Sequence, residues 1–579
     1  MNTFWNLKKA GINVSLMAKT LGINENLASL IANRNIKTKN EAIKYLKPSK
    51  KYFHKEPIKG FEEAKTLLLH SKEKKICIYG DYDVDGVMSV SILYKMLKKE
   101  QGEHLVSYYT PHRIKEGYGL NKEAVQKLHK EGVELLILVD NGIVAIEEIE
   151  LCGKLGIKTI IIDHHEPSPE LPSASVIINP KQIGCTYPFK EMCAAGLVYR
   201  FSIYFTNRDL DEFLIYATIA TICDVVDLVE DNRIIVSEGL HLMKDIENFK
   251  NKGLLELLKL VNKTDEITEE TIGYYLGPAL NAAGRLDSAL KAIKLIVDED
   301  ELLASEIAEL NAYRKELLKE AENFEIEEEN PFLVVHLKEL HESLAGILAG
   351  RIADKYNKPT LVLTGDEVLK GSARSVEGFN LYKALAENKP LFKRFGGHEM
   401  AAGLTMPFSN LDKLKENLFS LNYKNTQKII NIDEEQKLKE ATYTKFLELQ
   451  FLRPFGRKNP RPTFLTKNIE ISELRVMEEK STLIFTFTKE DFVIKGICFG
   501  MVDYFKEKIY ENFSSFQAEK ITHGILRGID LYVDIVYHIE VNSFRGNKYT
   551  QIRVLDFIIK GNNIKENNNE WYSKFRKVS

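Results

Sequence analysis

No run of about 18 apolar residues occurs in the 579-residue sequence, so no transmembrane helix is expected. The opening residues, Met1-Asn2-Thr3-Phe4-Trp5-Asn6-Leu7-Lys8-Lys9, lack the apolar core of a signal peptide. Cysteine is sparse: six residues, none in a C-x-x-C pair, with Cys77 and Cys223 in apolar stretches that suit buried free thiols. A disulfide scaffold is thereby excluded, and a cytoplasmic enzyme is the expectation. A surplus of positive charge is missing too. Eighty Lys and Arg stand against 83 Asp and Glu, a net charge of −3. Many nucleic-acid binders carry a basic total, but a basic groove is hidden in the sum when acidic residues gather around metals. Hydrophobic content of 44% and charged content of 28% are those of a folded globular protein. The length is enough for roughly three or four domains.

What the sequence does have is a concentration of carboxylates at Ile76–Gly86, I-C-I-Y-G-D-Y-D-V-D-G. The apolar run Ile76-Cys77-Ile78-Tyr79 reads as a buried strand. Asp81, Asp83 and Asp85 follow at alternate positions, which an extended backbone points to one side. Three like charges this close repel unless a cation lies between them, and hard divalent ions such as Mg²⁺ and Mn²⁺ take carboxylate oxygens. A calcium loop of the EF-hand type needs a bidentate Glu at its twelfth position; counted from Asp81 that residue is Ile92, so this reading fails. An acidic turn is the commoner origin of a lone D-x-D, but a strand-to-helix turn is a favoured ligand position in α/β sheets.

Strands and helices then alternate. Leu105–Tyr109, Leu135–Val139 and Thr159–Ile162 read as strands, with helices at Asn121–Lys130 and Ala145–Leu155. Continuous apolar strands separated by helices predict a parallel sheet covered on both faces. The second strand of this set ends in Asp140-Asn141-Gly142 and the third in Asp163-His164-His165. Taken singly, Asp140 suits a turn, His164-His165 a hydrogen-bonded pair, and Asp163 a carboxylate that orients an imidazole. Together, three strand ends bearing potential ligands would need three coincidences. A fourth contributor is Asp224, which follows the apolar helical stretch Phe213–Cys223 and has a helix-terminal turn as its equal alternative.

These residues resemble a known family. Y-G-D-Y-D-V-D-G at 79–86, V-D-N-G at 139–142, D-H-H at 163–165 and A-T-I-C-D-V-V at 220–226 look like the four motifs of the DHH phosphoesterase superfamily. P-H-R-I-K-E-G-Y-G-L at 111–120, G-P-A-L-N-A-A-G-R-L at 277–286, G-S-A-R-S at 371–375, F-G-G-H at 395–398 and P-F-G-R-K-N-P at 454–460 are similar to its RecJ-like exonuclease branch. The resemblance implies phosphodiester hydrolysis at a centre of two Mn²⁺ or Mg²⁺ ions. It makes Asp83, Asp85, His164 and Asp224 ligands and Asp140 the bridge between ions, with Asp81 close by as ligand or support. His165 would face the scissile phosphate, so His165 and Asp140 are the implied catalytic pair. Some relatives in the family carry His where this chain has Tyr79, a phenol and a poor substitute ligand. Two ions roughly 3.5–4 Å apart suit this chemistry, because they hold the attacking water and the phosphate oxygens together.

The same resemblance assigns Arg113, Ser372 and Arg374 to the 5′-terminal phosphate, and Asn281, Arg285 and His398 to the backbone nearer the metals. Tyr118 would stack on a base, and Gly396 and Gly397 would let backbone N–H groups approach phosphate. Six segments follow: a helical N-terminal segment (1–50), a parallel-sheet DHH domain (51–300), a connecting helix (301–330), a DHH-associated α/β domain (331–428), an OB-like β-barrel (429–560) and a polar tail (561–579). Glu320–Glu329 reads as an acidic solvated connector, and Arg453, Arg457, Lys458 and Arg461 with Phe451 and Phe455 as a surface for single strands or an ordinary solvated loop. The implied function is 5′-to-3′ exonuclease action on single-stranded DNA, releasing 5′-mononucleotides in repair and recombination. A monomer is expected, with a helicase or single-strand-binding protein as partner and no membrane. The alternatives are a DHH phosphodiesterase for short oligonucleotides or cyclic dinucleotides, whose members usually lack the barrel, and a binding scaffold without activity.

Overall fold

The computed structural model describes residues 3–560 except 103–104, 245–248, 263–265, 322–323, 325, 327–328, 424–426 and 545–546. The polar tail and much of the acidic connector lie outside the described residues. Two compact units are present: the larger holds residues 48–426 together with 456–458, the smaller the chain before residue 48 and the rest of it from 427 on. Strand β1 (Thr3–Leu7) opens the chain and belongs to the smaller unit.

In the larger unit, β2 (Ile76–Tyr79), β3 (Val106–Tyr109), β4 (Leu135–Val139), β5 (Lys158–Ile162) and β6 (Val176–Ile178) form a sheet in the order β3-β2-β4-β5-β6. Every pairing is parallel. Every residue of β2 and β4 is buried, as expected where helices cover both faces. Alternation sorts the side chains. Ile76, Ile78, Leu135, Ile137 and Val139 enter the core shared with α1 (Val84–Gln101), α2 (Ala194–Thr206) and α3 (Asp211–Cys223). Cys77, Tyr79, Leu136 and Leu138 enter a second core with the helices Lys122–Lys130 and Ile146–Lys154. Tyr79 is level with Leu138, and Val139 with Ile162. The three acidic loops therefore leave the sheet side by side at its carboxyl edge, where ligands collect in this class of sheet.

After a π-helical turn at Ile272–Leu276 comes α4 (Gly277–Leu286), then α5 (Glu301–Glu320), a 20-residue helix of about 30 Å. It leads to a second sheet of β7 (Leu333–His336), β8 (Thr360–Thr364), β9 (Val368–Arg374), β10 (Arg394–Gly397) and β11 (Ala401–Pro407), in the order β10-β11-β9-β8-β7. Only β7 and β8 run parallel. Helix α6 (Ala345–Tyr356) packs on β8 and β9.

The smaller unit is a β-barrel with the helices Tyr443–Leu449, Val502–Asn512 and Ser515–Thr522 packed into its core, joined by the chain's beginning. Strands β12 (Lys428–Ile432), β13 (Glu434–Glu435), β14 (Phe464–Met477), β15 (Thr482–Lys489), β16 (Phe492–Phe499), β17 (Tyr532–Phe544) and β18 (Asn547–Lys560) follow in sequence. Pairing runs β14-β15-β16-β18-β17 and returns from β17 to β14, closing five strands and leaving no edge among them. The N-terminal segment is not helical throughout: β1 pairs in parallel with β12, Thr3 opposite Lys428. The indole of Trp5 donates to Asp556 Oδ2 at 2.8 Å. Leu27, Ile31 and Ala42 share one core with Phe464, Phe485 and Tyr537. Local pattern could not reveal this, because the partners are some 400 residues away in sequence. Among the described residues no helix is long and apolar enough to cross a membrane.

Candidate metal centre and phosphate pocket

Asp83 caps α1, its Oδ1 accepting the N–H groups of Asp85 (2.9 Å) and Gly86 (3.2 Å), the usual role of Asp at a helix N-terminus. Asp85 lies in the first turn of the same helix and is buried. Its two oxygens accept the first N–H groups of α2, Ala194 at 2.7 Å and Ala195 at 2.8 Å. Asp140 leaves β4 with φ +62°, a left-handed conformation that Asp tolerates better than most residues. His164 lies between them: its Nε2 is 3.3 Å from Asp140 Oδ1 and 3.7 Å from both Asp85 Oδ2 and Asp224 Oδ2. Three overlapping clusters result, Asp81–Asp83–Asp140, Asp85–His164–Asp224 and Asp140–His164–His165, each with ligand atoms within 4.8 Å of one another.

The electrostatics of this cluster call for cations. Burial, joined by the charges of Asp85 and Asp83, pushes Asp224 up to about 9. Burial and Asp83 push Asp85 up to about 6, despite the N–H groups of Ala195 and Ala194. Asp81 and Asp140 are raised by burial and by neighbouring carboxylates in the same way. Burial, with the charge of His165, lowers His164 to about 3, which keeps a neutral imidazole available as a ligand. Asp81 Oδ1, His164 Nε2 and Asp224 Oδ2 are buried and, among the described residues, have no hydrogen-bond partner. Such atoms are rare in folded proteins. Oxygen and imidazole donors left open at converging positions fit two hard divalent ions.

A second set of groups has the opposite charge. Arg113 lies over the Tyr82 ring, 4.6 Å from its centre. Arg285 Nη1 donates to the Ser343 carbonyl at 3.1 Å. Arg374 Nη1 donates to Ser372 Oγ (3.1 Å) and the Ala373 carbonyl (2.9 Å). Burial, with the charges of Arg113, Arg314 and Arg374, drives Arg285 down to about 10, against the pull of Asp83. Burial and the charges of Arg374 and His165 lower His398. Among the described residues none of Arg113, Arg285 and Arg374 pairs with a carboxylate. Guanidinium groups without carboxylate partners are chemically suited to a phosphate.

The comparisons with known proteins follow this geometry. Residues 75–223 match the model of the DHH family, N-terminal domain; 329–422 match the DHHA1 domain; 432–556 match the RecJ OB domain. The single-stranded-DNA-specific exonuclease RecJ of Bacillus subtilis is 34% identical over 567 residues, covering 94% of this chain and 69% of that protein. The chain belongs to the RecJ family. Among solved structures, RecJ from Thermus thermophilus in complex with Mn²⁺ superposes with a TM-score of 0.79 at 23% identity, over 96% of this chain and 79% of that one. An exonuclease RecJ bound to manganese gives a TM-score of 0.57 at 28% identity, over 64% of this chain and 96% of that one.

Against the expectations from RecJ-like motifs, Tyr79 stands apart from the carboxylates. Its ring is fully buried in the second core, stacked on Tyr109 at 5.3 Å, and its hydroxyl donates to the Gly119 carbonyl at 3.0 Å. It anchors the loop that carries Arg113 and Tyr118. Tyr118 is half exposed, and its hydroxyl donates to the Asp140 carbonyl at 3.2 Å. Gly396, Gly397 and His398 lie exposed where β10 turns into β11, with the His398 N–H on the Ala401 carbonyl at 2.8 Å. Of the basic residues expected near the barrel, Arg457 meets Asp227 at 3.0 Å and Arg461 meets Glu540 at 3.1 Å.

Asp163 was readable from the sequence only as a generic orienting carboxylate. It is buried, and Oδ1 accepts from His164 N (2.8 Å), His165 N (3.1 Å) and His165 Nδ1 (2.7 Å), while Oδ2 accepts from Ile143 N (3.0 Å). One side chain thus sets both the β5 loop and the β4 loop. Burial pulls His165 down, but the hydrogen bond and charge of Asp163 outweigh it and carry His165 up to about 9. Asp163 takes Nδ1–H, so Nε2 is left for a substrate.

Proposed function

We propose that this protein is a metal-dependent exonuclease that hydrolyses single-stranded DNA from the 5′ end and releases 5′-mononucleotides. The observation that carries the reading is the juxtaposition of the carboxylate–histidine cluster with the arginine pocket in one unit of the fold. Asp81, Asp83, Asp85, Asp140, His164 and Asp224 would hold two Mn²⁺ or Mg²⁺ ions, with Asp140 between them. Ions so held supply the activation of water and the neutralisation of phosphate charge.

The chain's own residues do the rest. Arg113, Ser372 and Arg374 bind the terminal phosphate, and Arg285 and His398 grip the backbone closer to the carboxylates. An anchored 5′ end places one particular phosphodiester at the reacting position, which sets polarity and step size together. His165, held at Nδ1 by Asp163, directs Nε2 at the scissile phosphate and as an imidazolium stabilises the charge that grows there. Tyr118 offers a ring to a base, a contact that tolerates any sequence. The barrel adds a surface of the kind used for single strands. The same reading takes the protein as a monomer in the cytoplasm, with a helicase or single-strand-binding protein supplying the strand.

The test uses single strands of about 20–30 nucleotides, longer than one binding site, labelled at the 3′ end and carrying a 5′-phosphate or a blocked 5′ end. A ladder shortening from the 5′ end with Mn²⁺ or Mg²⁺, abolished by chelator and by the block, is the expected result. Survival of long strands with cleavage of di- and trinucleotides would replace the reading with a short-oligonucleotide phosphodiesterase. Binding without any cleavage would replace it with a scaffold.

A further inference from the structure

Helix α4 presents Gly277, Asn281 and Gly284 at spacings of four and three, hence on one face. That face lies against two stretches that bear the carboxylates. Asn281 Oδ1 accepts the N–H of Val84 at 3.2 Å, between Asp83 and Asp85 in sequence. A Cβ at Gly284 would overlap the carbonyl oxygen of Tyr82, between Asp81 and Asp83. A Cβ at Gly277 would overlap Cys223 Sγ, next to Asp224. The helix backbone therefore touches the chain beside the first and the last of the four acidic motifs. The neighbouring Arg285 reaches Ser343 of the following domain.

We propose that α4 is a splint for the metal centre. Asn281 and Gly284 are positioning residues that act through Val84 and Tyr82 on the placement of Asp81, Asp83 and Asp85. The resemblance implies a contact to the DNA backbone for Asn281. Its acceptor is on the metal loop, and among the described residues its amide N–H₂ has no protein partner. The side chain then has two faces, one fixing the ligand loop and one turned to the strand. This rests on the reading that those carboxylates hold divalent ions.

The test measures Mn²⁺ binding to the full-length, DNA-free enzyme, by electron paramagnetic resonance of the free ion. Asn281→Ala removes the acceptor, and the affinity is expected to fall roughly fivefold, the worth of one hydrogen bond. Asn281→Asp keeps the acceptor and removes the donor, so Mn²⁺ binding stays at or above the wild-type level while KM for DNA rises. Gly284→Ala, which raises local helix propensity, is expected to weaken Mn²⁺ binding all the same. Wild-type Mn²⁺ affinity in Asn281→Ala, or equal losses in Asn281→Ala and Asn281→Asp, would overturn the splint. Asp140→Ala is the control. If it binds Mn²⁺ like the wild type, the metal-centre reading itself fails; if it loses binding while Asn281→Ala does not, only the splint fails.

Discussion

Replacing Asp163 by Asn changes one atom at the junction of two ligand-bearing loops. The carboxylate accepts four hydrogen bonds, three on Oδ1 and one on Oδ2. An amide of the same shape has one acceptor oxygen. Turned to keep the three bonds from His164 and His165, it sets its N–H₂ against the N–H of Ile143 in a position only 1% exposed. One bond is lost and a buried donor is left unmet, about 2–3 kcal/mol of stability together. The larger effect is on His165. Its bond to the amide oxygen survives but is no longer charge-assisted, a difference of about 1–1.5 kcal/mol, which should lower the cleavage rate roughly 5- to 13-fold. The imidazole, deprived of the carboxylate, also falls from about 9 towards its ordinary value. The assay is single-turnover degradation of a 5′-phosphorylated strand at saturating Mn²⁺ across pH, with DNA affinity measured alongside. Expected are an unchanged affinity, a reduced rate, and a limb assigned to His165 that moves to lower pH. A wild-type rate and an unmoved limb would refute the argument.

Asp140→Ala should abolish cleavage while leaving much of the DNA binding, since the arginine pocket is untouched; retained cleavage in a gel assay would contradict its place between the ions. Because Asp85 and Asp224 hold protons up to about 6 and 9, Mn²⁺ must displace them, so affinity should rise with pH over that range with proton release; pH-independent calorimetry would count against this. The same raised values mean that the metal-free fold binds more protons than the unfolded chain, so its stability falls as pH rises from about 4 to about 9, and denaturant titrations should show Mn²⁺ reversing that trend. At Gly346, a Cβ would stand 2.8 Å from Arg374 Nη2 and 2.9 Å from Ser372 Oγ. Gly346→Ala should therefore raise KM for 5′-phosphorylated strands about tenfold, the loss of one charge-assisted bond, with little change for 5′-hydroxyl strands; equal effects on both would place the pocket elsewhere. Trp5→Ala should destabilise the barrel unit by about 3–5 kcal/mol, read from its own unfolding transition.

The parallel sheet was legible because continuous apolar strands such as Leu135–Val139 end abruptly in acid, and a period of two next to a glycine is a local signal. The acidic and histidine candidates stood at the ends of the same local runs, and their assignment as ligands was implied by the resemblance to the DHH motifs. What stayed hidden depends on distance in sequence. The bond of Asn281 to Val84 spans 197 residues and that of Trp5 to Asp556 spans 551, and neither leaves a mark in periodicity. Tyr79 misled for a related reason: its neighbours in the motif face the carboxylates, but strand alternation turns its own ring to the opposite core.

The pairing of β1 with β12, and of the first helices with the barrel, fixes an order of events during synthesis. Residues 48–426 are made in one stretch and contain everything their own core needs. Residues 3–47 are made before their packing partners, which follow after about 400–500 more residues, roughly 20–100 s at ordinary translation rates. Through that interval Leu27, Leu30 and Ile31, fully packed in the finished fold, have nothing to cover them. A nascent chain of this protein should thus depend on a holding chaperone at residues 3–47, and a messenger truncated after codon 426 would yield a metal-binding half joined to a sticky segment without its core partners.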